Sequence, residues 1–279
     1  MTPKLRGAII AAVAATALTG TAAGASNPIH PGANLSGWDL SGQNLAGARL
    51  YRSTLLGTRF HSSNLSGAHL SEANASGADF SSALLTHAVM HSTILPFANL
   101  SGADLTAVVA TFANMRSDQL SGANLSNSYI FRSRLNRSSL SHVTMNGTLV
   151  TWTSLNMVDA SRANFSHSTI DRSRLRHARL SHAHLNGTTI QWSNLQNGNL
   201  RYSRLKQATI LGSNLSGADL TGANLSDAIL HQVVLDGADL TDADLTGADL
   251  KHTRLSTANL NNTTCPDGNN SDDEENCGF

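Results

Sequence analysis

From Leu35 to Leu260 every fifth residue is apolar: 46 positions, 32 of them Leu and the rest Phe, Met, Ile, Val or Ala, with no insertion that shifts the register. Two residues before each of these, 43 of the 46 positions hold Ala, Ser, Thr, Gly or Val, the exceptions being Trp38, Gln43 and Asp118. A large and a small side chain therefore alternate within every five-residue unit. Such a period excludes an amphipathic helix, whose 3.6-residue turn cannot keep positions five apart on one face, and it excludes a plain strand of period two. A short extended segment followed by a turn satisfies it. Residues two apart then point the same way, which sends the small and the large residue inward together. The other three positions face solvent: Asn, Asp or Arg just before the central residue, and Ser or Thr and then Gly after it, types that suit turns.

Units such as ANLSG (33–37) and ADLTG (218–222 and 243–247) resemble the pentapeptide-repeat family, and the resemblance runs from 31 to 262. It implies an all-β fold, a right-handed quadrilateral parallel β-helix in which four units close one square coil. The 46 units would then make about 11.5 coils, a rod on the order of 55 Å long at the usual strand spacing. Burying the central residues, at about 2 kcal/mol each, would supply the main stabilisation.

The first 25 residues carry Lys4 and Arg6, an apolar run from Ala8 to Leu18, and Ala23 and Ala25 spaced like a small-residue cleavage site. They are expected to be a signal peptide, because the run is well short of the roughly 20 residues that cross a bilayer. Residues 26–31 then form a short linker and cap containing Pro28 and Pro31, 32–262 the β-helix, and 263–279 an acidic tail. Cleavage predicts a secreted or envelope-bound protein with no membrane span and 17 cations against 19 anions, a net of about −2. In that compartment Cys265 and Cys277 are expected to form a disulfide. Asp267, Asn269, Ser271 and Asp273 alternate oxygen donors like the start of a calcium loop. The EF-hand glycine and terminal Glu are missing at the matching places, so an end cap is the preferred reading of the tail.

Stacking the sequence at 20 residues per coil yields an outer column of Phe112, Arg132, Trp152, Arg172 and Trp192, beside a second with Arg134 and Arg174. A third column, on the opposite side, holds His142, Arg162, His182 and Tyr202. Neighbours in a column would sit roughly 5 Å apart, near enough for guanidinium and indole faces to stack. Residues 130–206 carry a net charge of +9 with His neutral, whereas 212–250 hold seven Asp and no Lys or Arg. The basic belt, with Arg132, Arg134, Trp152, Arg172, Arg174 and Trp192, is the candidate surface for an anionic or carbohydrate-like polymer, weighed against a ladder that only stiffens the rod. His182 and His184 are poor metal ligands with Arg162 and Arg204 beside them.

No HExxH, phosphate loop or dinucleotide glycine fingerprint is present, so the chain is read as a non-enzymatic binding or structural module without a cofactor. Some members of the resembled family imitate a DNA duplex and bind type II topoisomerases such as gyrase. That alternative is disfavoured here by the export signal and the positive middle, and a homodimer stays open. Finally, the register aims Asp118 into the core. The adjacent stretch 107–115 lacks the usual turn residues, so a bulge or bend is expected around 106–120.

Overall fold

The computed structural model describes residues 29–272 and Cys277; the expected signal peptide and residues 26–28 of the following linker lie outside them. The described chain winds as a parallel β-solenoid. Outside the strands every bridging residue from Asn34 to Asp244 pairs with the one 20 positions later, from Asn34↔Thr54 to Asp244↔Thr264. Seven successive coils contribute three-residue strands: β1 (Val109–Thr111), β2 (Tyr129–Phe131), β3 (Leu149–Thr151), β4 (Thr169–Asp171), β5 (Thr189–Gln191), β6 (Thr209–Leu211) and β7 (Ile229–His231). They form one parallel sheet in sequence order, six turns of regular ladder rather than strands in all of the expected coils. Elsewhere the pairing is by isolated bridges. The reason is local: most of these strands have a β-branched central residue (Ile130, Val150, Ile170, Ile190, Ile210), and their flanks are rich in Thr and aromatics, residues that suit extended backbone.

Following the amides of one unit, Ala98 to Gly102, shows why the repeat has its composition. Ala98 N–H closes a turn on Leu95 O (3.0 Å or less in most units; here 2.9 Å), Asn99 N–H donates back to Ala78 O (2.9 Å), and Leu100 N–H forward to Gln119 O (2.7 Å). Ser101 N–H, with no carbonyl to reach, donates to Asn99 Oδ1 (3.1 Å), and Gly102 N–H reaches Ser121 O (3.0 Å). All five donors are satisfied, as a buried ladder requires. The Asn or Asp is therefore a turn-closing acceptor. Gly occupies a corner whose φ is positive, +64° at Gly102, where it alone bears no Cβ penalty.

The core is one continuous column of the central and small residues, with Phe60 and Phe80 stacked face to face inside it at 4.8 Å. Trp38 and Gln43, the oversized exceptions, fall in the first coils. There Trp38 packs half-buried against the open end of the core.

Asp118 is buried, as the register requires, with 1 % of its surface exposed, but the expected bulge is absent. The bridges Asn99↔Gln119 and Gln119↔Ser139 keep the 20-residue offset on either side of it. Its Oδ1 accepts from Ala98 N–H (3.0 Å), the role Ser128 Oγ plays for Val108 and Ser133 Oγ for Ala113. The carboxyl thus fits a socket built for a hydroxyl. Its Oδ2 is buried without a hydrogen-bond partner, and desolvation pushes the pKa up to about 8 against the opposing pull of the Ala98 and Phe97 amides. The side chain is neutral through most of the physiological range.

The inward register also runs past Leu260. Thr263 and Cys265 are buried, and the chain then folds back so that Thr264 pairs antiparallel with Asn270. Cys265 N–H donates to Asn269 O (2.7 Å) and Ser271 N–H to Thr263 O (2.9 Å), which covers strand-edge groups that would otherwise invite pairing. Cys265 is joined to Cys277, with their Cα atoms 5.1 Å apart. Ser271 Oγ is committed to this cap, donating to Leu260 O and accepting from Thr263 N–H. Asp267 and Asn269 bond to each other (2.9 Å), and Asp273 lies outside the described residues.

Candidate binding face

The expected column exists, but it resolves into pairs. The Arg132 guanidinium lies 5.9 Å from the Phe112 ring and 5.2 Å from Phe131, and Arg172 lies 5.5 Å from the Trp152 ring. Trp192 leans onto the next coil at Gly212, where an added Cβ would meet its ring at 2.3 Å. Each ring covers the residue one coil toward the C-terminus. Trp152 and Trp192 keep 53 % and 55 % of their surface exposed, so about half of each indole remains free to meet a ligand.

The sequence reading missed the aromatic cluster around Arg132. Tyr129 and Phe131 stack at 5.8 Å, Phe112 meets Phe131 edge-on at 5.7 Å, and His91 meets Phe112 edge-on at 5.6 Å. Tyr129 and Phe131 are two apart on β2 and so share a face. Their alternation was the available signal.

Electrostatically the arginines divide. Arg172 is held by Asp171 (2.9 Å), and Arg179 sits 3.9 Å from Asp159. Arg132, Arg134 and Arg174 have no ion-pair partner among the described residues, and Arg134 and Arg174 take the place normally filled by the turn-closing Asn or Asp. That duty moves elsewhere: Arg176 N–H donates to Asn156 Oδ1 of the preceding coil (3.0 Å), and Asn156 N–H to Asn136 Oδ1 (3.0 Å). The column of Asn136 and Asn156 leaves the Arg174 site free for a cation. Around the next corner, Arg116, Arg137 and Arg176 with Asn136, Asn156, Met157 and His177 line a hollow of about 380 Å³. Among the described residues no group of three His, Cys, Asp or Glu is placed to hold a metal ion, and no helix is long and apolar enough to cross a membrane.

A family model described as Pentapeptide repeats matches in eight copies, over segments that span 33–117 and 161–262. The chain belongs to the pentapeptide-repeat family. Between these segments, residues 118–160 begin at the inward-facing Asp118 and contain Arg132, Arg134 and Trp152. Similar solved structures include HetL, a pentapeptide repeat protein involved in heterocyst differentiation regulation in the cyanobacterium Nostoc sp. strain PCC 7120. It is 29 % identical over 86 % of this chain and 90 % of its own, with a TM-score of 0.29. Full-length QnrB1, a plasmid-mediated fluoroquinolone resistance protein, is 17 % identical over 79 % of this chain and 92 % of its own, with a TM-score of 0.28. No curated protein matches the chain.

Proposed function

We propose that this pentapeptide-repeat rod is an exported, non-enzymatic binding module, and that its ligand is an anionic carbohydrate polymer lying along the 130–206 belt. The observation that carries the reading is that the half-exposed indoles Trp152 and Trp192, at corners of the coil, and the cations Arg132, Arg134 and Arg174 fall in two adjacent columns set by the same 20-residue register. Indole faces suit sugar rings, and Arg suits carboxylate or sulfate groups. The 20-residue parallel register presents both at a regular spacing. The sign of the belt argues against imitation of a DNA duplex and so against the topoisomerase alternative, which inhibition of gyrase supercoiling by the purified protein would revive.

Retention on immobilised heparin, against a neutral dextran control, tests the reading. Wild type is expected to bind heparin and to elute as salt rises, because exposed charges are screened within about 8 Å at physiological ionic strength. The double variant Trp152→Gly, Trp192→Gly restores the residue favoured at these corners, where φ is 54° and 52°, so it is expected to fold. Its affinity should drop about tenfold or more, as should that of Arg134→Ser, Arg174→Ser. Retention equal to wild type in both variants would discard the proposal.

A further inference from the structure

Half a lap from the Trp and Arg face, His142, Arg162, His182, His184, Tyr202 and Arg204 line a second hollow, of about 390 Å³. Its chemistry is one-sided. None of the six side chains is a carboxylate. Among the described residues neither Arg162 nor Arg204 has an ion-pair partner, and the side chains of these two and of the three histidines make no protein hydrogen bond. The nearby acids are engaged elsewhere: Asp219 holds Arg201 (3.2 Å), Asp159 sits near Arg179 (3.9 Å), and Asp227 near Lys206 (3.8 Å).

The wall of the groove is fixed. His182 stacks on Tyr202 with ring centroids 5.3 Å apart and planes 20° from parallel. The Arg201 guanidinium lies 5.5 Å from the Tyr202 ring, and that ring in turn lies over Gly222, where an added Cβ would sit 2.5 Å from it. Arg204 occupies a turn-closing Asn position, and the amide this strands, Lys206 N–H, is taken by Asn186 Oδ1 of the preceding coil (3.2 Å). The backbone is thus satisfied without Arg204, whose guanidinium is left for something outside the chain.

We propose that this groove binds a chain of two or more phosphoryl groups. Two Arg forks bring up to ten N–H donors in the planar geometry that matches phosphate oxygens, and each neutral imidazole adds one more N–H. Arg162 and Arg204 stand two coils apart along the rod, about 10 Å at the usual strand spacing. An oligophosphate can set a phosphoryl group against each guanidinium across that spacing, whereas a single phosphate needs both long side chains to converge on it. A metal ion is repelled by the same arginines. The site shares no side chain with the Trp and Arg face, so it stands or falls separately from the carbohydrate reading.

Isothermal titration of the full chain at low salt with orthophosphate, pyrophosphate and tripolyphosphate is the test. One site per chain is expected, with tripolyphosphate bound most tightly and orthophosphate least. Arg162→Gly and Arg204→Asn restore residues the repeat itself uses at those positions, and each should weaken tripolyphosphate binding about 20-fold or more. Arg162→Gln, which keeps the side-chain stem, should do the same, so that a folding defect in the glycine variant does not hide the result. The Trp152→Gly, Trp192→Gly protein should bind within about twofold of wild type. Absence of one-to-one tripolyphosphate binding to wild type would overturn the proposal. An equal loss in the Trp variant would overturn it too, since it would mean that the phosphates sample the belt's general field.

Discussion

Asp118→Ser is expected to stabilise the rod at pH 7 by roughly 2–4 kcal/mol, an unusual sign for a core substitution. Burial raises the carboxyl pKa from 3.8 to about 8, so the folded chain holds a proton that the unfolded chain releases. Any stability tied to that proton is fully present below about pH 4 and is lost progressively as pH rises to about 8, at about 1.4 kcal/mol per pH unit. Serine removes the slope. It also supplies a hydroxyl that can donate as well as accept, as Ser138 does in the next coil, bonding to Met115 O (2.6 Å) and accepting from Asp118 N–H (3.2 Å). Thermal melts of both proteins between pH 5 and 8 should diverge as pH rises. Parallel pH profiles, or a lower melting temperature in the variant at pH 8, would mean that Asp118 is not a buried acid.

Phe80→Ala is expected to destabilise the rod by about 3–5 kcal/mol, because it removes one of two stacked rings from a close-packed column with no second layer to collapse inward. Phe97→Ala offers the contrast. That ring is 72 % exposed, and its loss should change stability by less than about 0.5 kcal/mol. Urea midpoints of the two variants against wild type measure the difference. Equal effects would show that inside and outside have been assigned wrongly.

Most of the fold was legible because the signal is carried by side-chain size at fixed spacing. Leu100 and Ala98 repeat in kind along the chain, and a period of five admits few alternatives. Asp118 was half legible: the register placed it inside, but nothing in its residue type says that a carboxyl oxygen can replace a hydroxyl as acceptor for the amide 20 residues earlier. The end cap and its disulfide were expected, but the continuation of the inward register to Cys265 was not. Cys265 continues the pattern in position, yet as a cysteine beside an acidic tail it read as the start of something else, although its side chain is small and apolar enough to fill a central site.

The candidate surface was legible as columns and not as contacts. Numbering alone puts Arg172 above Trp152, and the structure agrees. It cannot say that Trp192 turns away to Gly212, or that Asp171 binds Arg172 while Arg174 stays free, because those outcomes depend on rotamers and on the competition of local partners. The transfer of turn-closing duty to Asn156 and Asn186 was equally hidden. It involves residues one coil apart, and it is what lets Arg174 and Arg204 occupy positions that the repeat otherwise gives to Asn or Asp.

Every surface described above depends on residues 20 apart being neighbours. Ser161 and Ser181 are such a pair, with their Oγ atoms 3.3 Å apart. Oxidative cross-linking of Ser161→Cys, Ser181→Cys is therefore the most direct measurement, with Ser161→Cys, Asn186→Cys, one corner further round, as its control. A fast and nearly complete disulfide in the first pair and little in the second is the predicted result. Efficient cross-linking of the control pair, or none between 161 and 181, would contradict the four-unit lap and every column built on it.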